Sequence, residues 1–504
     1  MISPSHTYPR NEVPITMTRR LLCLFACLTL PLSAQQPLSP AVTRYVSVPA
    51  APVIVLEHVR VIDGTGAPPL ENQFVVLEAG NIASIGSALP ATTAAGVHLD
   101  LTGRTVLPGL VGMHDHMYYL TRPNLNAAGE SEPPVVVPEE PFSSTHLYLG
   151  AGVTTLRTTG SVEPYMDLNI HRAIEEGEIV GPHMDVTGPY LEGPGAFALE
   201  MHELKDADDA RRTVDFWADQ GVTSFKAYMD ITRAELKAAI DEAHKRGFKI
   251  TGHLCSVTYP EAVELGIDNL EHGFFVNTQL DPGKQPDRCP KTAGNPTLAK
   301  MTPESAEGKA LIALLVAHHV AITSTLPVFQ SYDPVHLQLQ PRVLAAMSAP
   351  TREAYLTTRN GELMRAAADP KAATERARLL QNDMAMERAF VAAGGLLLAG
   401  PDPTGDGGTL PGYGDQREVE LLVDAGFTPL EAIRIATWNG AVFLGRDKQI
   451  GSIAVGKNAD LFVVKGDPSK TISDIENTEI VFKDGVGYDS QKLLDSVKGR
   501  YGQY

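Results

Sequence analysis

Short apolar runs alternate with stretches of helical spacing through the middle of the chain. The runs begin near Val106, Val153, His183, Val222, Phe248, Asp268, Val320 and Leu396, and patterns such as residues 207–220 and 234–246 lie between them. Strands that alternate with helices in this way predict an α/β fold, a (β/α)8 TIM barrel. Before this block the pattern changes. Runs at 53–56, 59–62, 74–78, 82–85 and 97–101 are broken by Gly, Pro and Asn, with no helical spacing between them. Similar runs return after the barrel at 459–464 and 478–483. These predict a small discontinuous β-sandwich built from both ends of the chain. The expected organisation is a sandwich at 53–105 and 437–490, with a barrel at 106–436. A linker or arm at 35–52, rich in Pro, Ala, Ser and Val, precedes them. Two inserts, 274–307 and 332–388, are expected near the barrel mouth, as a lid or as packing between subunits.

Barrel active sites lie at the C-terminal ends of the strands, so the residues that end the strands are the candidates for chemistry. The first strand ends in His114-Asp115-His116. Side chains alternate on a strand, so the two imidazoles share a face and Asp115 takes the other. Two such imidazoles can hold one metal ion. Lys226 ends the fourth strand, His253 the fifth, His272 the sixth and Asp402 the eighth. Each alone reads as a polar strand end facing water; the series His-x-His, Lys, His, His, Asp in barrel order is harder to obtain by chance. Glu271 alternates away from His272 and is expected to buttress. Tyr228, two residues past Lys226, shares its face and could touch a substrate carboxylate through its phenol. Tyr119 and Tyr190 are further candidates for substrate contact, and Tyr118 adjoins the first pair. His183, His318 and His319 read as structural.

The chain has 504 residues and a formal net charge of −18. That balance argues against nucleic acid or an anionic membrane surface as a partner. Residues 1–34 read as a cleaved signal peptide: Arg19-Arg20, an apolar run over 21–30, then small residues to Ala34. The run is too short to remain as a membrane span. Met17 is an alternative start, and a twin-arginine or lipoprotein signal is a weaker reading of the same stretch. The expected location is periplasmic or secreted, with no membrane span in the mature chain. Of four cysteines, Cys255 and Cys289 would survive cleavage. They could pair in an oxidising compartment, or Cys255 could line the site beside His253.

The motifs together resemble the amidohydrolase superfamily, and within it the imidazolonepropionase-like, prolidase-like branch of Xaa-Pro dipeptidases and ochratoxin-hydrolysing amidohydrolases. The resemblance rests on Leu107-Pro108-Gly109-Leu110-Val111-Gly112-Met113-His114-Asp115-His116, Ala151-Gly152-Val153-Thr154-Thr155, Glu271-His272-Gly273, Thr428-Pro429-Leu430-Glu431-Ala432 and the run from Gly451 to Leu461. It implies two divalent ions, zinc by expectation. His114, His116 and Asp402 would hold one, His253 and His272 the other. An ammonium has no lone pair for a metal, and the resemblance implies a carboxylated Lys226 that bridges the two; a plain lysine paired with a carboxylate, or a one-metal site, is the alternative. Two such ions activate a water and polarise a carbonyl. Asp402 is then placed to move the proton, with Asp402 and Lys226 as the catalytic pair. Gly400-Pro401-Asp402 departs from the usual Gly-Thr-Asp or Gly-Ser-Asp, and Pro401 cannot donate a backbone hydrogen bond.

The implied activity is cleavage of the C–N bond in N-acyl amino acids or dipeptides with a free carboxylate, ochratoxin A-type amides included. Xaa-Pro dipeptides are the nearest rival. A cyclic-amide hydrolase or deaminase of the same fold, and a non-catalytic periplasmic binding protein, are the other readings; Lys226 and the complete ligand set argue against them. The resemblance also implies a homo-oligomer, an octamer.

Overall fold

The computed structural model describes residues 37–502, apart from 91, 92, 94, 122, 123, 125–127, 129, 131, 139 and 405–407. The expected signal peptide lies outside the described residues. The chain opens with β1 (Val46–Val48), β2 (Val53–Val61), β3 (Leu70–Glu78), β4 (Asn81–Gly86), β5 (Val97–Asp100) and β6 (Arg104–Pro108). Next come β7 (Leu110–Asp115) and a hairpin of β8 (Tyr119–Thr121) and β9 (Val135–Val137). Then follow β10 (Val153–Thr158), β11 (His183–Leu191), β12 (Ser224–Ala227), β13 (Lys249–Gly252), β14 (Asn269–Glu271), β15 (Ala321–Ser324) and β16 (Leu397–Ala399). The last strands are β17 (Leu461–Lys465), β18 (Thr478–Lys483) and β19 (Val486–Asp489).

Strands β7 and β10 to β16 form an eight-stranded parallel sheet in chain order, with helices between most of them. Its two ends meet: Asp402 N donates to His114 O at 3.0 Å, which ties the segment after β16 to β7. Gly400 makes that approach possible, since a Cβ there would lie 2.2 Å from His114 N. The fold is a (β/α)8 barrel with a separate sheet domain.

The second sheet has nine strands from both ends of the chain, in the order β1-β19-β18-β17-β6-β2-β3-β4, with β5 beside β2. It curls around one apolar core that includes Leu56, Val59, Val75, Leu77, Val106, Leu461, Val463 and Phe482.

Three boundaries differ from the sequence reading. The run at 106–113 is two strands. Val106 and Leu107 belong to β6, which pairs with β17, and the barrel begins at Leu110. Pro108 and Gly109 form the joint, where Gly109 N donates to Asp460 O. The expected linker at 35–52 contains a short helix, Pro40–Thr43, and β1, which adds to the sheet edge against β19. Val42 and Val48 are buried there, which gives the arm an apolar reason to dock. Finally, Ala441, Phe443 and Ile450 pack with Val111, Met113, Ala321 and Leu398 of the barrel, rather than with the sheet domain.

The insert at 332–388 is helical as expected, with helices Pro341–Ala346, Ala349–Ala368 and Pro370–Ala392. Buried carboxyls pin the last of these to the loop after β14 and to the end of β15: Asp383 accepts from Phe274 N at 2.7 Å, and Glu387 from Ser324 Oγ at 2.9 Å. Cys255 and Cys289 form a disulfide with a Cα separation of 4.8 Å, so Cys255 does not present a free thiol to the site. Among the described residues no helix is long and apolar enough to cross a membrane.

Candidate metal centre

The six residues expected at strand ends converge. His116 Nε2 lies 3.2 Å from Asp402 Oδ1, and His114 Nε2 lies 3.6 Å from the same oxygen. His272 Nδ1 is 3.9 Å from Asp402 Oδ2. Lys226 Nζ is 3.1 Å from His114 Nε2. The His253 ring sits 4.4 Å from that of His272, centroid to centroid. All six are buried or nearly so.

Local backbone aims these groups. One residue of β10, Arg157 between Leu156 and Thr158, stands opposite two of β7, Met113 and His114 between Gly112 and Asp115. The extra residue is a β-bulge, a device that re-aims side chains next to sites and is rare between parallel strands. Asp115 then turns outward: its Oδ2 crowds the Cβ position of Gly112 together with Asp415 of helix Tyr413–Asp424. His114 turns inward. His272 and Asp402 both sit in the left-handed region, with φ of 67° and 55°. Such a conformation costs about 1–3 kcal/mol per non-glycine residue and gathers at functional sites. The doubt over Pro401 resolves in its neighbours: Gly400 N donates to Ser324 O at 3.1 Å and Asp402 N to His114 O. The two donors that hold the segment flank the proline, so its missing N–H is not called upon.

Beneath the cluster lies a buried network that the sequence reading missed in part. His114 Nδ1 is 2.7 Å from Glu271 Oε2, as its buttressing role requires. Glu271 Oε1 accepts from Arg157 Nη2 at 2.8 Å and also from Thr251 Oγ1. Arg157 is almost fully buried; it also donates to Met113 O and, at 2.9 Å, to Asn269 Oδ1. An arginine inside a strand that otherwise reads Val-Thr-Thr-Leu was the available signal, because a buried guanidinium must be paired.

These contacts set the protonation states. Burial, then Lys226, lowers His114. Burial lowers His116 to about 4 and His253 to about 3, and puts His272 well below its usual range. The imidazoles are therefore neutral at neutral pH, the form that binds metal. Burial raises Asp402, but His114, His116 and His272 outweigh it and hold the carboxyl well below the ordinary carboxylate range. Burial takes Lys226 down to about 8, against Glu271 and Asp402.

The donor set fits a divalent ion. His114, His272 and Asp402 offer three ligand atoms within 4.8 Å of one another. His272 Nε2 and His116 Nδ1 are buried with no hydrogen-bond partner, and buried imidazole nitrogens without partners are costly. This trio joins His272 to His114 and Asp402, whereas the resemblance implied that His272 shares an ion with His253.

The tyrosines divide. Tyr190 lies beside Lys226 in the sheet register, and Lys226 Nζ stands 5.2 Å from its ring. Tyr228 packs on the His253 ring at 4.7 Å and is partly exposed. Tyr119 does not join them. It is buried in a separate cluster, edge-on to Tyr501 at 5.6 Å. Neighbours on an extended chain face opposite ways, and Tyr118 takes the inward place, 4.7 Å from His116 and 2.6 Å from the Tyr190 hydroxyl. On the far side of the cluster, Phe329 meets His272 at 5.7 Å and stacks on Phe275.

The amidohydrolase family model matches residues 105–326 and 335–486. The chain belongs to the amidohydrolase family. Its fold is that of a Xaa-Pro dipeptidase solved with bound methionine (TM-score 0.63, 19% identity, 87% of this chain and 100% of that one). It is similar also to the ochratoxinase of A. niger (TM-score 0.62, 17% identity, 89% and 99%). An uncharacterised protein of Mycobacterium tuberculosis is 28% identical over 191 residues, 36% of this chain and 47% of that protein. The match thus spans about half the length of that relative. The family typically binds a divalent metal, and the His/Asp cluster is where this chain could hold it.

Proposed function

We propose that the protein is an exported, binuclear amide hydrolase that cleaves N-acyl amino acids with a free carboxylate and a bulky apolar side chain. The observation that carries the reading is the meeting of His114, His116, Lys226, His253, His272 and Asp402 at five strand ends, with His116 Nδ1 and His272 Nε2 buried and without a hydrogen-bond partner. These six residues would hold two divalent ions, zinc in this reading, with Lys226 carboxylated. A lysine lowered to about 8 has an accessible neutral amine, the form that carboxylation requires. The metals would supply Lewis acidity toward the carbonyl and a nucleophilic water at neutral pH. The chain's own residues do the rest. Asp402, an ionised carboxylate between His116 and His272, accepts the proton of the attacking water and delivers it to the leaving nitrogen. Glu271 fixes the His114 ring so that Nε2 faces the centre. The rings of His114, His116 and Tyr190 exclude bulk water from one side.

Substrate selection rests on the rings that line the rim. Phe197, Tyr228, His253, His272 and Phe329 run in sequence, each within 5.7 Å of the next, centroid to centroid. Phe197, Tyr228 and Phe329 are partly exposed, so apolar groups on both sides of a scissile amide would find a ring. Tyr228 carries the hydroxyl placed to donate to the substrate carboxylate. Ochratoxin A, an aromatic amide of phenylalanine, has this shape; Xaa-Pro dipeptides are the rival class. The test compares N-acyl-phenylalanines, ochratoxin A and Xaa-Pro dipeptides as free acids and as C-terminal amides, with wild type and Tyr228→Phe. The free aromatic acids should be preferred, and both amidation and Tyr228→Phe should lower kcat/KM. Equal cleavage of acid and amide by wild type refutes the carboxylate anchor and favours a cyclic-amide substrate.

A further inference from the structure

The end of the chain reaches back to the barrel mouth. After helix Ser490–Val497, Gly499 N donates to Ala345 O at 2.8 Å, and Arg500 N and Tyr501 N both donate to Ala346 O at 3.0 Å. Ser348 N returns a bond to Tyr501 O at 2.9 Å. Gly502 N donates to Glu140 Oε1 at 3.1 Å. Four residues thus make four backbone–backbone bonds and one bond to a side-chain carboxylate, all with parts of the chain more than a hundred residues away. A frayed segment would leave its aromatic ring in water, yet Tyr501 is fully buried.

What Tyr501 touches gives the segment its meaning. Its ring meets Tyr119, three residues past His116. Its hydroxyl lies 3.4 Å from the carbonyl of Pro403, the residue after Asp402. It shares an apolar cluster with Val343, Met347 and Tyr355 of the helical insert and with Leu410 and Tyr413 beyond β16. The ring is therefore a wedge among three segments: the one that leaves His116, the one that leaves Asp402, and the insert beside them. Gly502 is tailored to the same seat. Its φ is +86°, and a Cβ there would lie 2.2 Å from Thr351 Oγ1.

We propose that residues 499–502 act as a C-terminal clamp, with Tyr501 as a positioning residue, that holds the His116 and Asp402 segments and the helical insert in catalytic register. The clamp makes no contact with substrate. It acts on geometry, where an error of about 1 Å costs on the order of 10²-fold in rate.

The test uses the metal-loaded full chain, a chain ending at Lys498, and Gly502→Ala, which keeps every side chain of the tail but disfavours its seat. Hydrogen exchange requires no substrate, so this arm stands apart from the substrate reading above. Exchange should quicken at residues 343–351 and 408–414 in both variants and stay unchanged in β10 to β13. On any amide the wild type cleaves, kcat should fall by about 10²-fold with KM changed far less. A synthetic peptide of residues 498–504, added in trans, should restore part of kcat to the shortened chain, which a general loss of stability would not allow. Should the shortened chain fail to fold, Gly502→Ala carries the same readouts. Wild-type exchange at both segments, or wild-type kcat in a tail-displaced variant, overturns the proposal.

Discussion

Glu271→Gln perturbs the centre without replacing a candidate ligand. In the wild type, Glu271 Oε2 accepts from His114 Nδ1 at 2.7 Å, while Oε1 accepts from Arg157 and Thr251. Burial raises the carboxyl, but Arg157 and His114 outweigh it and bring it to about 2. A glutamine has one acceptor oxygen and one donor group. Arg157 and Thr251 both donate, so they claim the oxygen. The amide then points its N–H at His114 Nδ1, which can accept only if the ring proton moves to Nε2. That proton occupies the lone pair meant for the metal. Loss of such an orienting partner costs 10–100-fold in metal affinity, or about 1.4–2.8 kcal/mol. Exchanging a charged for a neutral partner of buried Arg157 should also cost on the order of 2 kcal/mol of stability. A competition titration against a chromogenic chelator reads the affinity, and a thermal melt of the metal-free protein reads the stability. A folded variant with unchanged metal affinity would refute the tautomer argument.

Two further outcomes rest on other contacts. Asp402→Asn should keep the fold and at least one ion but lose about 10²–10⁴-fold in kcat, measured under saturating substrate; unchanged turnover removes its proton-transfer role. His183 joins the base of β11 to the sheet domain, 2.8 Å from Glu175 and 3.2 Å from Asp484. Burial and Lys483 lower it, but its bonds to Asp484 and Glu175 prevail and raise it to about 9. Its folded pKa is above the unfolded 6.5, so its stabilisation is full below pH 6.5 and is lost as pH rises through 9, at most about 3 kcal/mol. Denaturant titrations at pH 6 and pH 9.5 should show a smaller drop in His183→Asn than in wild type, and an identical drop contradicts the pairing.

Periodicity carried much of this. Each of the eight barrel runs holds an observed strand, because buried parallel strands are continuous apolar stretches bounded by Gly and Asp. The strand-end chemistry was legible for the same reason: polar residues that end such stretches are few. What stayed hidden depended on register and on contacts far apart in sequence. The split at Pro108 and Gly109 needs knowledge that β17 pairs with β6. The bulge in β7 is visible only against β10. Tyr118 and Tyr119 are adjacent and alike, and only the hairpin after β7 decides which one faces His116. Arg157 stood in plain view, but its partner Glu271 comes more than a hundred residues later. The docked arm at β1 read as a linker, and no local pattern marked Tyr501; each is held by long-range pairing that local composition does not record.

The central claim is a two-metal site held by His114, His116, Lys226, His253, His272 and Asp402. The most direct test is elemental analysis of protein purified without chelator, with activity followed as metal is added back to the stripped chain. The account predicts about two divalent ions per chain, with full activity reached only at the second equivalent. Full activity at one ion per chain would contradict it.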